Sequence, residues 1–125
     1  MSGRVHGVAL ALMIALAAGC STDPRTKAMR ATGGDPARGA QAIERYGCAA
    51  CHTIEGIETA KGTIGPSLEG IATRPTLSGE MPNTPDNLIR WIEKPQDVKK
   101  DSQMPDMGVT EQDARDIAAR LYAPR

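Results

Sequence analysis

Cys48-Ala49-Ala50-Cys51-His52 is the stretch on which the reading of this chain turns. Two thiols share one helical turn and an imidazole follows at once. A structural zinc site would need four ligands, and only Cys48, Cys51 and His52 stand close together; Cys20 and His6 lie near the N-terminus. A thioredoxin-like redox pair would need a βαβ setting, which the flanking sequence lacks. A Cys48–Cys51 disulfide would suit an exported protein but would leave the core unfilled. The remaining chemistry is C-x-x-C-H, the attachment signature of a c-type haem. There the thiols reach two vinyl groups, and a neutral imidazole turns toward the iron as the proximal ligand.

Composition favours that last chemistry. From Cys20 onward the chain holds eight Ile, four Leu, two Val and no Phe. These are fourteen of 106 residues, below the roughly 20% at which a chain begins to look underfilled. Aromatic side chains add only Tyr46, Trp91 and Tyr122 in that stretch. A buried porphyrin supplies the missing apolar bulk. The full length of 125 residues gives room for one domain. Fifteen basic and fifteen acidic groups cancel, so no basic excess exists to hold a nucleic acid. No apolar run reaches eighteen residues, which argues against a membrane-spanning helix.

Outward from the motif, three helices are legible. Asp35-Pro36 opens the first with an oxygen acceptor and then a proline at the first helical position; Ala37 to Tyr46 continue it and Gly47 ends it. Thr84-Pro85-Asp86 repeats the signal ahead of Leu88, Trp91 and Ile92, and Pro95 stops that helix at Lys94. Thr110 with Asp113 forms a capping box before Ala114, Ile117, Ala118 and Leu121. Residues 53 to 83 are rich in glycine and proline and read as loop, with no convincing strand. The expected fold class is all-α: three main helices wrapped around one covalent haem, with long irregular loops.

The N-terminus predicts export. Arg4 and His6 precede the apolar run Val8 to Ala18, and Leu16-Ala17-Ala18-Gly19-Cys20 resembles a bacterial lipobox. Residues 1–19 are then a lipoprotein signal peptide, Cys20 carries the lipid, residues 20–34 are a flexible tether, and 35–125 form the domain. The tether assignment rests on Pro24, Gly33, Gly34 and the lack of apolar period; Met29 within it is a bystander.

Over residues 35 to 122 the chain resembles the class I (monohaem) cytochromes c. Gly65-Pro66-Ser67-Leu68 looks like that family's G-P-x-L turn, which implies that the Pro66 carbonyl orients His52 through its second ring nitrogen. Met104-Pro105, ahead of the last helix, looks like the family's M-P pattern. The resemblance therefore implies His52 and Met104 as the two iron ligands, with Met81 and Met107 as rivals. It also implies that Arg74 pairs with a haem propionate, that Trp91 lines the methionine side, and that Ser102 offers a hydroxyl to a propionate. Asn87 to Trp91 through Pro95-Gln96 to Met104-Pro105 is similar to the cytochrome c domain of bacterial oxidase second subunits, without a copper motif. Two departures stand out. Asp101 replaces a glycine in the loop before Met104, which puts that backbone in question. Arg120 replaces an aromatic on the last helix, which predicts a weaker contact with the first.

The expectation is a non-enzymatic electron carrier with one heme c, lipid-anchored on the periplasmic side of a bacterial membrane. It would pass single electrons from a quinol-oxidising complex to a terminal oxidase or reductase. The alternative is a haem-based sensor or peroxidase-like enzyme with a displaceable methionine. Against the latter, His52 is the only histidine left once the signal is removed. Lys94, Lys99 and Lys100 could rim a docking face, but Asp97, Asp101 and Asp106 dilute it to a mixed-charge surface.

Overall fold

The computed structural model describes residues 23–125. The expected signal peptide and the Cys20 anchor lie outside that range. Five α-helices follow in order: α1 Pro24–Thr32, α2 Pro36–Arg45, α3 Pro85–Glu93, α4 Pro95–Val98 and α5 Glu111–Tyr122. Two short 3₁₀ turns, Cys48–Ala50 and Ile71–Thr73, and a two-residue hairpin punctuate the loops.

The three expected helices start where their caps dictate. Asp35 accepts from the Ala37 and Arg38 N–H groups at 2.8 and 3.0 Å. Thr84 accepts from Asn87 N–H, and Thr110 from Asp113 N–H, each at 3.2 Å. Gly47, at φ 73°, turns the chain out of α2 and into the cysteine turn. Asp113 departs from the usual box. Its carboxylate accepts instead from the hydroxyls of Thr110 and Tyr46 at 3.0 and 2.7 Å and from Arg45 at 2.8 Å, so it fastens α2 to α5.

The flexible-tether assignment is corrected for the described part, residues 23–34. Asp23 caps α1 by accepting from Thr26 N–H at 3.3 Å, Pro24 takes the first position, and Gly33 at φ 70° ends it. The Asp-Pro opening is the same one that starts α2. No apolar period betrays it, because the helix buries only Ala28 and Thr32, one turn apart. It packs on α5 through small groups. Arg115 Nη1 donates to the Thr32 carbonyl at 3.0 Å, and a Cβ on Gly34 would overlap the Arg115 backbone.

The loop region also holds more order than expected. Thr76 and Leu77 pair with Pro82 and Met81 across a turn in which Ser78 and Gly79 take φ 53° and 69°. Two residues per strand are too few for alternation to show. The single turn α4 begins at Pro95 itself, with Lys94 as its cap.

The α2–α5 packing is the most extensive between any two of the described elements. Gly39 explains why: a Cβ there would overlap the Asp116 carbonyl and stand 2.8 Å from Arg120 Cβ. Arg120 turns its head away and donates to the Gly56 carbonyl at 2.8 Å. Around this crossing Ala42, Ile43, Ala114, Ile117, Ala118 and Leu121 join Leu88, Ile89 and Ile92 of α3 in one core.

Candidate haem site

The core does not close on itself. Beside it lies a cavity of about 530 Å³, bordered by Ile43, Ile117 and Leu121 on one side and by Leu88, Trp91 and Ile92 of α3. This falls within the ~300–1,000 Å³ typical of cofactor sites. Cys48, Cys51, His52, Pro66, Arg74, Trp91, Ser102 and Met104 all line it. Residues as far apart in the chain as Cys48 and Met104 thus converge on one space. The two rival methionines do not border it: Met81 packs on the core, and Met107 is 42% exposed.

Local backbone geometry sets up the motif. The His52 N–H donates to the Cys48 carbonyl at 3.0 Å, closing one turn that brings both thiols and the imidazole together. Both cysteines are free thiols, and burial pushes the Cys48 thiol up, which keeps it protonated. His52 Nδ1 lies 2.7 Å from the Pro66 carbonyl. A carbonyl only accepts, so Nδ1 carries the proton and Nε2 keeps its lone pair for a metal. Gly65 makes this approach possible. A Cβ there would stand 2.5 Å from His52 Cε1 and 2.8 Å from Nδ1.

On the Met104 side, Ser102 Oγ accepts from the Met104 N–H at 3.2 Å. Ser102 therefore shapes the loop, and its hydroxyl proton remains available. Asp101 needs no left-handed backbone, since Ser78 is the only non-glycine with positive φ among the described residues. Gln96, which sequence reasoning passed over, donates to the Met104 carbonyl at 2.5 Å and to the Ser102 carbonyl at 3.4 Å. Its sequence signal was its place in the Pro95-Gln96 step of the oxidase-like segment, which assigned it no role. Arg74 Nη2 donates to the Ser67 and Glu69 carbonyls at 2.7 and 2.8 Å, which holds its guanidinium at the cavity wall.

The rim is mixed in charge. Lys94 pairs with Asp106 at 2.8 Å and Lys99 with Glu80 at 3.1 Å. Ile64, 84% exposed, stands at the cavity edge. Among the described residues no three His, Cys, Asp or Glu side chains cluster as a metal site, so the zinc alternative finds no ligand set. An apolar slot with two free thiols, a correctly protonated imidazole and a thioether does fit a covalent haem.

Comparison with known proteins agrees. Residues 36–121 match the family described as Cytochrome c. The chain belongs to the cytochrome c family, whose members hold haem c through the two cysteines of such a motif. It is also 34% identical over 68 residues to a protein named cytochrome c oxidase subunit 2 from Alkalihalophilus pseudofirmus. That match covers 54% of this chain and 19% of the relative, so the alignment spans about a fifth of the longer protein. No solved structure matches the chain.

Proposed function

We propose that this cytochrome c is a single-haem, lipid-anchored carrier on the periplasmic side of a bacterial membrane. It passes single electrons from a quinol-oxidising complex to a terminal oxidase or reductase and performs no enzymatic step. His52 and Met104 would hold its iron. The observation that carries this reading is that both border the same cavity, whereas Met81 and Met107 do not. Kinship with a protein named as an oxidase subunit supports a respiratory setting.

In this reading the chain's own residues bind, orient and exclude. Cys48 and Cys51 would hold the haem covalently, and the Pro66 carbonyl fixes the His52 ring with Nε2 left unprotonated for the metal. The Met104 thioether, a soft ligand, favours the reduced state. Haem c supplies a one-electron iron couple. Two protein ligands would leave the metal no position for a substrate, and Leu88, Trp91 and Ile92 give the cavity an apolar wall. Acylation at Cys20 would leave only residues 21 and 22 before the Asp23 cap of α1. At ~3.3–3.6 Å per residue that link is on the order of 10 Å, so the folded domain would stay close to the lipid surface.

Met104→Ala should open the iron to carbon monoxide and azide and abolish the far-red band of sulfur ligation; Met81→Ala and Met107→Ala should do neither. Ready carbon monoxide binding by the wild type would instead favour a sensor or enzyme. For the anchor, fatty-acid labelling should mark the wild type and not Cys20→Ala. An unlabelled wild type would overturn that part alone.

A further inference from the structure

Asn83 stands where three separate parts of the chain meet. Its Nδ2 donates to the Ile71 carbonyl at 2.7 Å and to the Arg74 carbonyl at 2.9 Å. Its Oδ1 accepts from the Tyr122 hydroxyl at 2.7 Å, and its backbone N–H reaches the Pro75 carbonyl at 3.0 Å. The partners dictate which way the amide faces. Two carbonyls can only accept, so the NH₂ must face them and the oxygen must face the hydroxyl. Burial pushes the Tyr122 phenol up to about 12, so it stays protonated as a donor through the neutral range. The partly buried setting strengthens each bond relative to water.

The segment clamped in this way carries Arg74. One end of Arg74 is held by Asn83 on its backbone carbonyl, the other by the Ser67 and Glu69 carbonyls on Nη2. The remaining guanidinium N–H groups have no hydrogen-bond partner among the described residues, and the side chain borders the cavity. A fork held at both ends is ready to receive a carboxylate without further loss of side-chain freedom.

We propose that Asn83 and Tyr122 are positioning residues for Arg74: their hydrogen bond ties α5 to the loop and holds the guanidinium at the carboxylate edge of the haem, where its charge tunes the reduction potential. The proposal rests on the haem reading of the cavity and on the Arg74 contact expected from the family resemblance. A cation fixed beside the macrocycle favours the state with one more electron. A guanidinium free to swing into water is screened and contributes less.

Spectroelectrochemical titration of the haem-loaded protein tests this. Tyr122→Phe removes one hydroxyl and keeps the ring, so the fold should survive. At a fixed poise it should lower the ratio of reduced to oxidised protein roughly twofold to fivefold. Arg74→Gln should lower it at least as much, and the double variant no further than Arg74→Gln alone, because the hydroxyl acts through the guanidinium. The low-spin spectrum should be unchanged throughout. Tyr122→Phe with a wild-type potential, or effects that add in full, would overturn the proposal and leave Tyr122 a structural residue. If Arg74→Gln leaves the potential unchanged in a methionine-ligated protein, the proposal falls while the carrier reading stands. A wild type without covalent haem would sink that reading, and the proposal with it.

Discussion

At Gly65 the absence of a side chain is itself functional. His52 can reach the Pro66 carbonyl only because nothing projects from the preceding residue, where a Cβ would lie 2.5 Å from the ring. Gly65→Ala must push either the loop or the imidazole aside. Overpacking of this kind costs about 1–3 kcal/mol, and here part of that cost falls on ligand orientation. The expected outcome is a lowered Tm together with a high-spin fraction in the oxidised spectrum. Gly79→Ala is the control: it has φ 69° but open space around it, so it should lower Tm by the left-handed penalty of ~1–2 kcal/mol and leave the spectrum alone. At this scale the residues that line the cavity were legible, because C-x-x-C-H, G-P-x-L and M-P are local strings. Their supports were not. Gln96, Asn83 and Tyr122 act across loops whose mutual positions no local pattern records, and each is a common residue type with an ordinary solvated alternative.

Among the elements, cap chemistry marked the starts of α1, α2, α3 and α5, and apolar periodicity marked the faces of α2, α3 and α5 but not α1. Asp-Pro and Thr-Pro mark the starts of α2 and α3 because they satisfy the first free N–H groups whatever the helix later packs against. The same opening at Asp23-Pro24 went unread, with Pro24 taken as a breaker in a segment without apolar period; α1 docks through Ala28 and Thr32, and Gly34 follows it closely against α5. What joins α2 to α5 is equally invisible in the chain: Asp116, 2% exposed, accepts from the Asp35 N–H at 2.7 Å and from Arg38 at 2.8 and 2.9 Å. Burial pushes this carboxyl up. The Arg38 guanidinium, the Asp35 N–H and the Gln112 amide outweigh it, and its pKa lies below the ordinary value of 3.8. A depressed folded-state value means that the stabilisation is fully present above the unfolded-state value and is lost as pH falls through the folded one. Stability should therefore be flat near neutrality and fall below about pH 4. Asp116→Ala strands the Asp35 N–H and should cost about 2–3 kcal/mol at pH 7. Its denaturant midpoint should also depend less on pH below 4 than that of the wild type. A variant with the full wild-type acid sensitivity would assign that sensitivity to other carboxylates, such as Asp113.

For the molecule as a whole, the shortage of large side chains and the cavity are the same fact. The fourteen large aliphatics from Cys20 onward, together with Trp91 and two tyrosines, cannot both line and fill a space of about 530 Å³. Apolar walls left without a packing partner forfeit burial and contact energy, a serious loss for a domain stable by only ~5–15 kcal/mol. The haem is then a structural member as much as a redox centre, and its removal is a stability experiment. Protein made where haem is not attached, or carrying Cys48→Ala and Cys51→Ala together, should lack a cooperative thermal transition and bind hydrophobic dyes. It should also lose protection from proteolysis first in the 53–83 loops, whose order depends on the cavity being filled. The helical signal should fall less than the tertiary signal, because the caps of α2, α3 and α5 and the Asp113 and Asp116 clamps need no haem. Differential scanning calorimetry on the loaded and unloaded protein decides the matter. A sharp transition without haem, within a few degrees of the loaded one, would mean that α2, α3 and α5 close over the cavity on their own.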